Sequence, residues 1–160
     1  GAETIIAIDI DPSKFERAKE LGATHCFDSK NKDTVQAIRD LTNGGVDFAI
    51  DLAGVIPAMN TAYAIVRYGG SIVTAGLSPA NAEFSFNHGD LVAQEKSILG
   101  SYMGSCVPVR DVPRFLNLFQ QGRLPVDKLI DGKIGFDELN EGFDKLSKGE
   151  VVRQILVPSK

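Results

Sequence analysis

Apolar residues fall along this chain in short continuous blocks, and each block is followed by a stretch with helical periodicity. Residues 5–8, Ile-Ile-Ala-Ile, are unbroken and mostly β-branched, the pattern of a strand covered on both faces in a parallel sheet. The block closes on Asp9-Ile10-Asp11-Pro12. Asp11 suits a helix cap and Pro12 the first helical position, where a missing N–H has no intrahelical partner to lose. Phe15, Ala18 and Leu21 follow at helical spacing, and Gly22 stands where a left-handed terminal residue is wanted.

The unit then recurs. Residues 25–27 predict a short strand and 33–41 a helix, with Val35, Ile38 and Leu41 on one face. Gly44-Gly45 breaks it, 46–52 is the next strand, and Gly54 turns into a helix carrying Met59, Ala62 and Val66. Gly69-Gly70 punctuates, and 71–77 is another buried strand. Strands and helices alternating at this spacing specify an α/β fold, a doubly wound parallel sheet of Rossmann-like type with right-handed crossovers. Residues 78–90 are irregular, with an edge strand expected at 83–86, and 97–102 is a further strand. From Pro108 a helix places Val112, Phe115, Leu116 and Phe119 at i, i+3, i+4 and i+7. The tail differs in kind: loop and short strand over 122–136, a helix over 137–148 capped by Asp137, and a closing strand over 151–157. Two domains are expected, 1–121 and 122–160.

Composition narrows the partners. The 160 residues carry 17 Lys and Arg against 21 Asp and Glu, a net charge of -4, which argues against nucleic acid. No apolar run approaches the ~20 residues of a membrane span. No basic segment leads an apolar one as in a secretory signal, so a cytoplasmic protein is expected. Two cysteines, Cys26 and Cys106, and two histidines, His25 and His88, are too few for a disulfide framework or a four-cysteine zinc lobe. The chain enters its first strand with almost no lead-in, and a fragment of a longer protein is expected.

The candidate chemistry sits at strand ends. An acid at the carboxyl end of a strand accepts hydrogen bonds from ribose hydroxyls in dinucleotide-binding folds, ~20 residues after a glycine-rich phosphate loop. Asp9 fits that place, and its charge would repel a 2′-phosphate; the competing reading is that Asp9 and Asp11 only cap a helix. No G-x-G-x-x-G occurs in the chain, so a ribose role for Asp9 implies that the first βα unit precedes residue 1. Lys14 is placed to reach over the adenosine or into solvent. Gly54 and Gly76 end strands where ligands sit in open sheets, though each also suits a plain turn. Arg153 falls in the last strand, a weak anion-site candidate. No catalytic acid, base or metal site stands out.

Four segments carry a resemblance: IIAIDIDPSKFERAKELGATHCFDS, NGGVDFAIDLAG, GGSIVTAGL and NEGFDKLSKGEVVRQILV. In this order they resemble the carboxyl-terminal half of the zinc-dependent medium-chain alcohol dehydrogenases. GSCVPVRDVPRFLNLFQQGRLPVDKLI is similar to the branch with aryl-alcohol and thiol-linked formaldehyde dehydrogenases. The resemblance implies NAD as cofactor, hydride transfer between it and a zinc-polarised alcohol or aldehyde, and ligands for zinc outside these residues. It implies that Asp9 and Lys14 hold the adenosine ribose and that Leu52, Ala53 and Gly54 line the adenosine side. Gly76, Leu77, Ser101 and Tyr102 would meet the nicotinamide end, and Arg153 the pyrophosphate. The tail, 122–160, would return to the catalytic domain, and the chain alone would not catalyse.

The family's strand order places its first strand centrally, so its absence would leave 5–8 and 46–52 each with an unpaired edge. Unsatisfied buried backbone groups cost ~1–3 kcal/mol each, so the gap is expected to be filled by a second chain or by the 151–157 strand, or the sheet rearranged. A homodimer through 83–86 and 97–102 is also expected. Three other readings compete: part of an S-adenosylmethionine-dependent methyltransferase, a zinc-free medium-chain reductase, and a non-catalytic nucleotide-sensing module. The first is disfavoured by the ending, the second by Asp9 and the third by the missing glycine loop.

Overall fold

The computed structural model describes residues 1–158. Its residues group into two compact units, Gly1–Cys106 and a second beginning at Val107, so the helix from Pro108 belongs to the second unit. In the first unit the predicted alternation holds: β1 (Ile6–Asp9), α1 (Phe15–Glu20), β2 (His25–Asp28), α2 (Thr34–Leu41), β3 (Val46–Asp51), α3 (Ile56–Ile65), β4 (Val66–Thr74), α4 (His88–Ala93) and β5 (Ser97–Gly100). A 3-10 turn over Pro12–Lys14 leads into α1, and the Asp11 side chain caps it through the Ser13 N–H. All ladders are parallel, as an α/β fold with crossover helices requires.

The strands form two sheets, β1-β2 and β3-β4-β5. Among the described residues no strand lies between β1 and β3, so each keeps one open side. The closing strand does not fill the gap, because it pairs elsewhere. The core is built by Ile38 of α2, Met59, Ala62 and Ile65 of α3, and Ala49, Val66 and Ile72 of the second sheet. Ile6, Ile8 and Phe27 of the first sheet pack against it, so one hydrophobic centre serves both sheets. Burial of such side chains is worth roughly 1.5–3 kcal/mol each.

Helix α3 passes into β4 with no intervening turn, and two cations complete its last carbonyls. Arg39 of α2 donates to the Ala64 carbonyl at 2.9 Å, and Lys96 to that of Tyr63 at 2.8 Å. Cations at a helix carboxyl end suit its partial negative charge. Lys96 also lies 4.5 Å over the Tyr63 ring. Burial, helped by the Arg39 charge and opposed by Asp90, holds its ammonium below the usual lysine range.

Three expectations fail in this unit. β4 starts at Val66 and not at 71, so Gly69 and Gly70 lie inside the strand. The register slips between Val46 and Phe48, and a Cβ on Gly70 would lie 2.6 Å from Val66 Cγ1 and 2.9 Å from the Asp47 carbonyl; the glycines serve a bulge. Residues 83–86 form no strand, since Phe84 and Phe86 stack with each other at 5.7 Å and close on Tyr63. The strand expected at 97–102 ends at Gly100.

The second unit holds α5 (Pro108–Gln120), β6 (Gly132–Ile134), α6 (Leu139–Ser147) and β7 (Gln154–Leu156), with β6 and β7 paired in parallel. Asp137 does not cap α6; Glu138 holds that position without a side-chain cap, its Oε2 instead accepting the Gly135 N–H at 2.9 Å. Arg153 precedes β7 and does not belong to it.

Candidate functional site

The end of β1 separates the two readings of its acids. Asp11 does the capping: its Oδ1 accepts the Ser13 N–H at 3.0 Å and the Ser13 hydroxyl at 2.7 Å. Those two bonds, with the Lys14 and Lys30 charges, hold the Asp11 carboxyl below the usual carboxylate range. Asp9 uses a single oxygen within the protein, its Oδ1 accepting the Asp11 N–H at 2.9 Å with Lys14 Nζ at 3.6 Å. Its other oxygen has no partner among the described residues, and the side chain is 37% exposed. A carboxylate with one oxygen held and one open can accept hydroxyl hydrogen bonds from a ligand.

At the ends of β3 and β4 the chain crosses itself at close range. Gly54, at φ +65, backs onto Gly76 and Leu77: a Cβ on Gly54 would lie 2.8 Å from the Gly76 carbonyl carbon. A Cβ on Gly76 would lie 2.1 Å from the Gly54 nitrogen. Neither position has room for a side chain, so both glycines are required by packing. Ser78 Oγ donates to the Gly54 carbonyl at 2.8 Å. Leu52 and Leu77 are exposed beside the contact, leaving an apolar rim around a floor of bare backbone.

Beneath it lies Asp51, 6% exposed. Its Oδ1 accepts the N–H groups of Ala53 at 3.0 Å and Gly54 at 3.3 Å, and its Oδ2 the Thr74 hydroxyl at 3.0 Å. Its backbone carbonyl accepts from Ala75 at 2.9 Å and Gly76 at 3.2 Å. The Thr74 carbonyl in turn accepts the Ser101 N–H at 2.9 Å, which ties in the end of β5. Tyr102 is exposed and opens a turn in which Met103, Gly104 and Ser105 take φ of 52°, 66° and 53°. For the two non-glycine residues that conformation costs roughly 1–2 kcal/mol each, and such strain gathers at ligand sites.

The predicted residues thus fall into three groups. Asp9 and Lys14 meet at β1, and Ala53, Gly54, Gly76, Leu77 and Ser101 are joined by hydrogen bonds and contact across β3, β4 and β5, with Leu52 and Tyr102 exposed next to them in the chain. Arg153 stands in the second unit, where its backbone and that of Val152 donate to the Asp131 carboxylate. Sequence reasoning missed Asp51, Thr74 and Ser78, although Phe-Ala-Ile-Asp at 48–51 repeats the Ile-Ala-Ile-Asp of 6–9. Among the described residues no three His, Cys, Asp or Glu side chains are grouped to hold a metal, so this chain's residues do not fit a zinc site. Among the described residues no helix is long and apolar enough to cross a membrane.

Comparison with known proteins extends this geometry. The sequence profile of the zinc-binding dehydrogenases matches residues 1–121. Alcohol dehydrogenase 1 of Cenchrus americanus is 36% identical over 159 residues, 98% of this chain and 42% of that protein. The crystal structure of benzyl alcohol dehydrogenase from Acinetobacter calcoaceticus superposes with a TM-score of 0.94 at 36% identity, covering 99% of this chain and 44% of that one. A Sinorhizobium meliloti 1021 protein described as a zinc-binding dehydrogenase, solved bound to NADP, is 27% identical with a TM-score of 0.82, covering 100% and 46%. The chain therefore spans less than half the length of the relatives it matches.

Proposed function

Since the chain belongs to the zinc-dependent medium-chain alcohol dehydrogenase family and matches its carboxyl-terminal half, we propose that these residues form part of an NAD-binding platform. The enzyme would oxidise a primary or aromatic alcohol, or a thiol-hydroxymethyl adduct, to the aldehyde or thioester level. The observation that carries the reading is the division of work at β1, where Asp11 caps and Asp9 keeps an oxygen open. That oxygen would accept the adenosine ribose hydroxyls, with Lys14 beside them. Leu52, Ala53 and Gly54 would line the adenosine side, and the bare floor at Gly76 with Leu77, Ser101 and Tyr102 the nicotinamide side. Arg153 would meet the pyrophosphate.

NAD supplies the hydride acceptor; this chain's residues bind and orient it. The 160 residues alone would not catalyse. One relative was solved with NADP, so membership of the family does not select the nucleotide. Asp9 does, because its charge opposes a 2′-phosphate. The same reading includes a homodimer through the 83–86 and 97–102 segments, or strand exchange that fills the place between β1 and β3. It also includes a cytoplasmic setting, in keeping with the free thiols of Cys26 and Cys106.

Calorimetric titration of the protein produced from its full reading frame tests the cofactor assignment. NAD should bind at least about tenfold more tightly than NADP, a difference of ~1.4 kcal/mol. Tighter NADP binding would remove Asp9 from the ribose. Binding of S-adenosylmethionine in place of either nucleotide would move the chain to methyl transfer.

A further inference from the structure

We propose that Asp51 is a positioning residue, the buried tie that fixes the two ends of the cofactor groove relative to each other. The inference rests on the NAD-platform reading above. Beyond the last rungs of the β3–β4 ladder, one carboxylate links the turn after β3 to the end of β4. Through Oδ1 it sets the turn at Ala53 and Gly54, the adenosine side. Through Oδ2 it holds the Thr74 hydroxyl at the end of β4, two residues before Gly76. The Thr74 carbonyl passes the constraint to Ser101 after β5. At 6% exposure the carboxylate lies beneath the groove, so it acts through the turns it holds.

The Gly54–Gly76 contact makes the tie necessary. Backbone segments packed too closely for a Cβ have no interdigitating side chains to fix their spacing, so the spacing depends on the hydrogen bonds around them. Removing the Thr74 link loosens the end of β4, which the ladder and the Asp51 carbonyl still hold, while leaving the Ala53 and Gly54 turn capped. Removing the carboxylate loosens both. An amide in its place can accept from Ala53 and Gly54 and donate to the Thr74 oxygen, so it preserves the geometry without the charge.

Dissociation constants for NADH and ADP-ribose, measured on Asp51→Asn, Asp51→Ala and Thr74→Val in the protein from its full reading frame, test this. ADP-ribose lacks the nicotinamide and reports the adenosine side alone. Asp51→Asn should bind both ligands within about threefold of the parent, and Asp51→Ala should lose about tenfold for both. Thr74→Val should weaken NADH about fivefold and ADP-ribose less than about twofold. If Asp51→Ala does not fold, the Thr74→Val selectivity and the Asn rescue carry the test. Equal weakening of both ligands in Thr74→Val, or lowered thermal stability with unchanged affinities, would overturn the proposal. A parent protein that binds neither ligand would instead overturn the NAD reading itself.

Discussion

β1 and β3 end on nearly the same four residues, Ile-Ala-Ile-Asp and Phe-Ala-Ile-Asp, yet present them to the core in opposite phase. In β1 the larger residues, Ile6 and Ile8, pack against the core, and Asp9 falls on the other face. In β3 the small Ala49 and Asp51 are buried, while Phe48 and Ile50 point outward, 70% and 65% exposed. Because side chains alternate along a strand, a shift of one position exchanges the faces. The two acids begin alike, each Oδ1 accepting the N–H two residues on, at 2.9 Å for Asp9 and 3.0 Å for Asp51. Phase then separates them: Asp9 keeps an open oxygen for a ligand, whereas Asp51 spends both on the protein.

The largest effect should come from a methyl group at the crowded end. Gly76→Ala sets a Cβ against the Gly54 backbone, where nothing flexible can yield, and should cost about 3 kcal/mol of stability by urea unfolding. Gly22, which leads from α1 toward β2, also has positive φ but nothing within 4 Å of a built Cβ. Gly22→Ala should cost only about 1 kcal/mol of backbone strain. Equal losses would mean that the β3–β4 contact is not the constraint it appears in the structure.

The contrast also marks what the sequence made legible. The α/β alternation was readable because continuous apolar blocks and 3.6-residue periodicity are local signals, and Asp9 was readable because an acid after such a block is conspicuous. Asp51 follows an equally apolar block but went unseen, since a run with no polar alternation does not reveal which face meets the core. Gly54 and Gly76 are legible as glycines at strand ends, but their mutual contact depends on the pairing of β3 with β4. The strand at 83–86 failed because Phe84 and Phe86 satisfy an alternating pattern equally well by stacking on Tyr63. The apolar neighbours of Arg153 predict a strand there, whereas the backbone bonds to Asp131 before β7 begins.

A third acid shows what charged partners add. Asp111 in α5 is as buried as Asp51, but Arg110 grips both its oxygens at 2.7 Å. The Arg110 bonds first, then the Val107 N–H and Arg114, hold its carboxyl below the usual aspartate range. Its contribution to stability is therefore present above the unfolded aspartate value and lost as pH falls through the lower folded value. Urea midpoints measured from pH 6 down to pH 3 should fall less for Asp111→Asn than for the parent. Parallel curves would show that the arginines do not favour the ionised form.

The smallest effect on stability, and the most informative for function, belongs to Asp9. Its ion pair with Lys14 is long and more than one-third exposed on both sides, so Asp9→Ala should change stability by less than about 1 kcal/mol. In the same variant the preference for NAD over NADP should collapse by about tenfold or more, because the charge that opposes the 2′-phosphate is gone. Chemical unfolding and nucleotide titration on one preparation check both halves. A large stability loss would make Asp9 a structural acid like Asp51. An unchanged nucleotide preference would leave its open oxygen without a ligand and place the discrimination elsewhere in the protein.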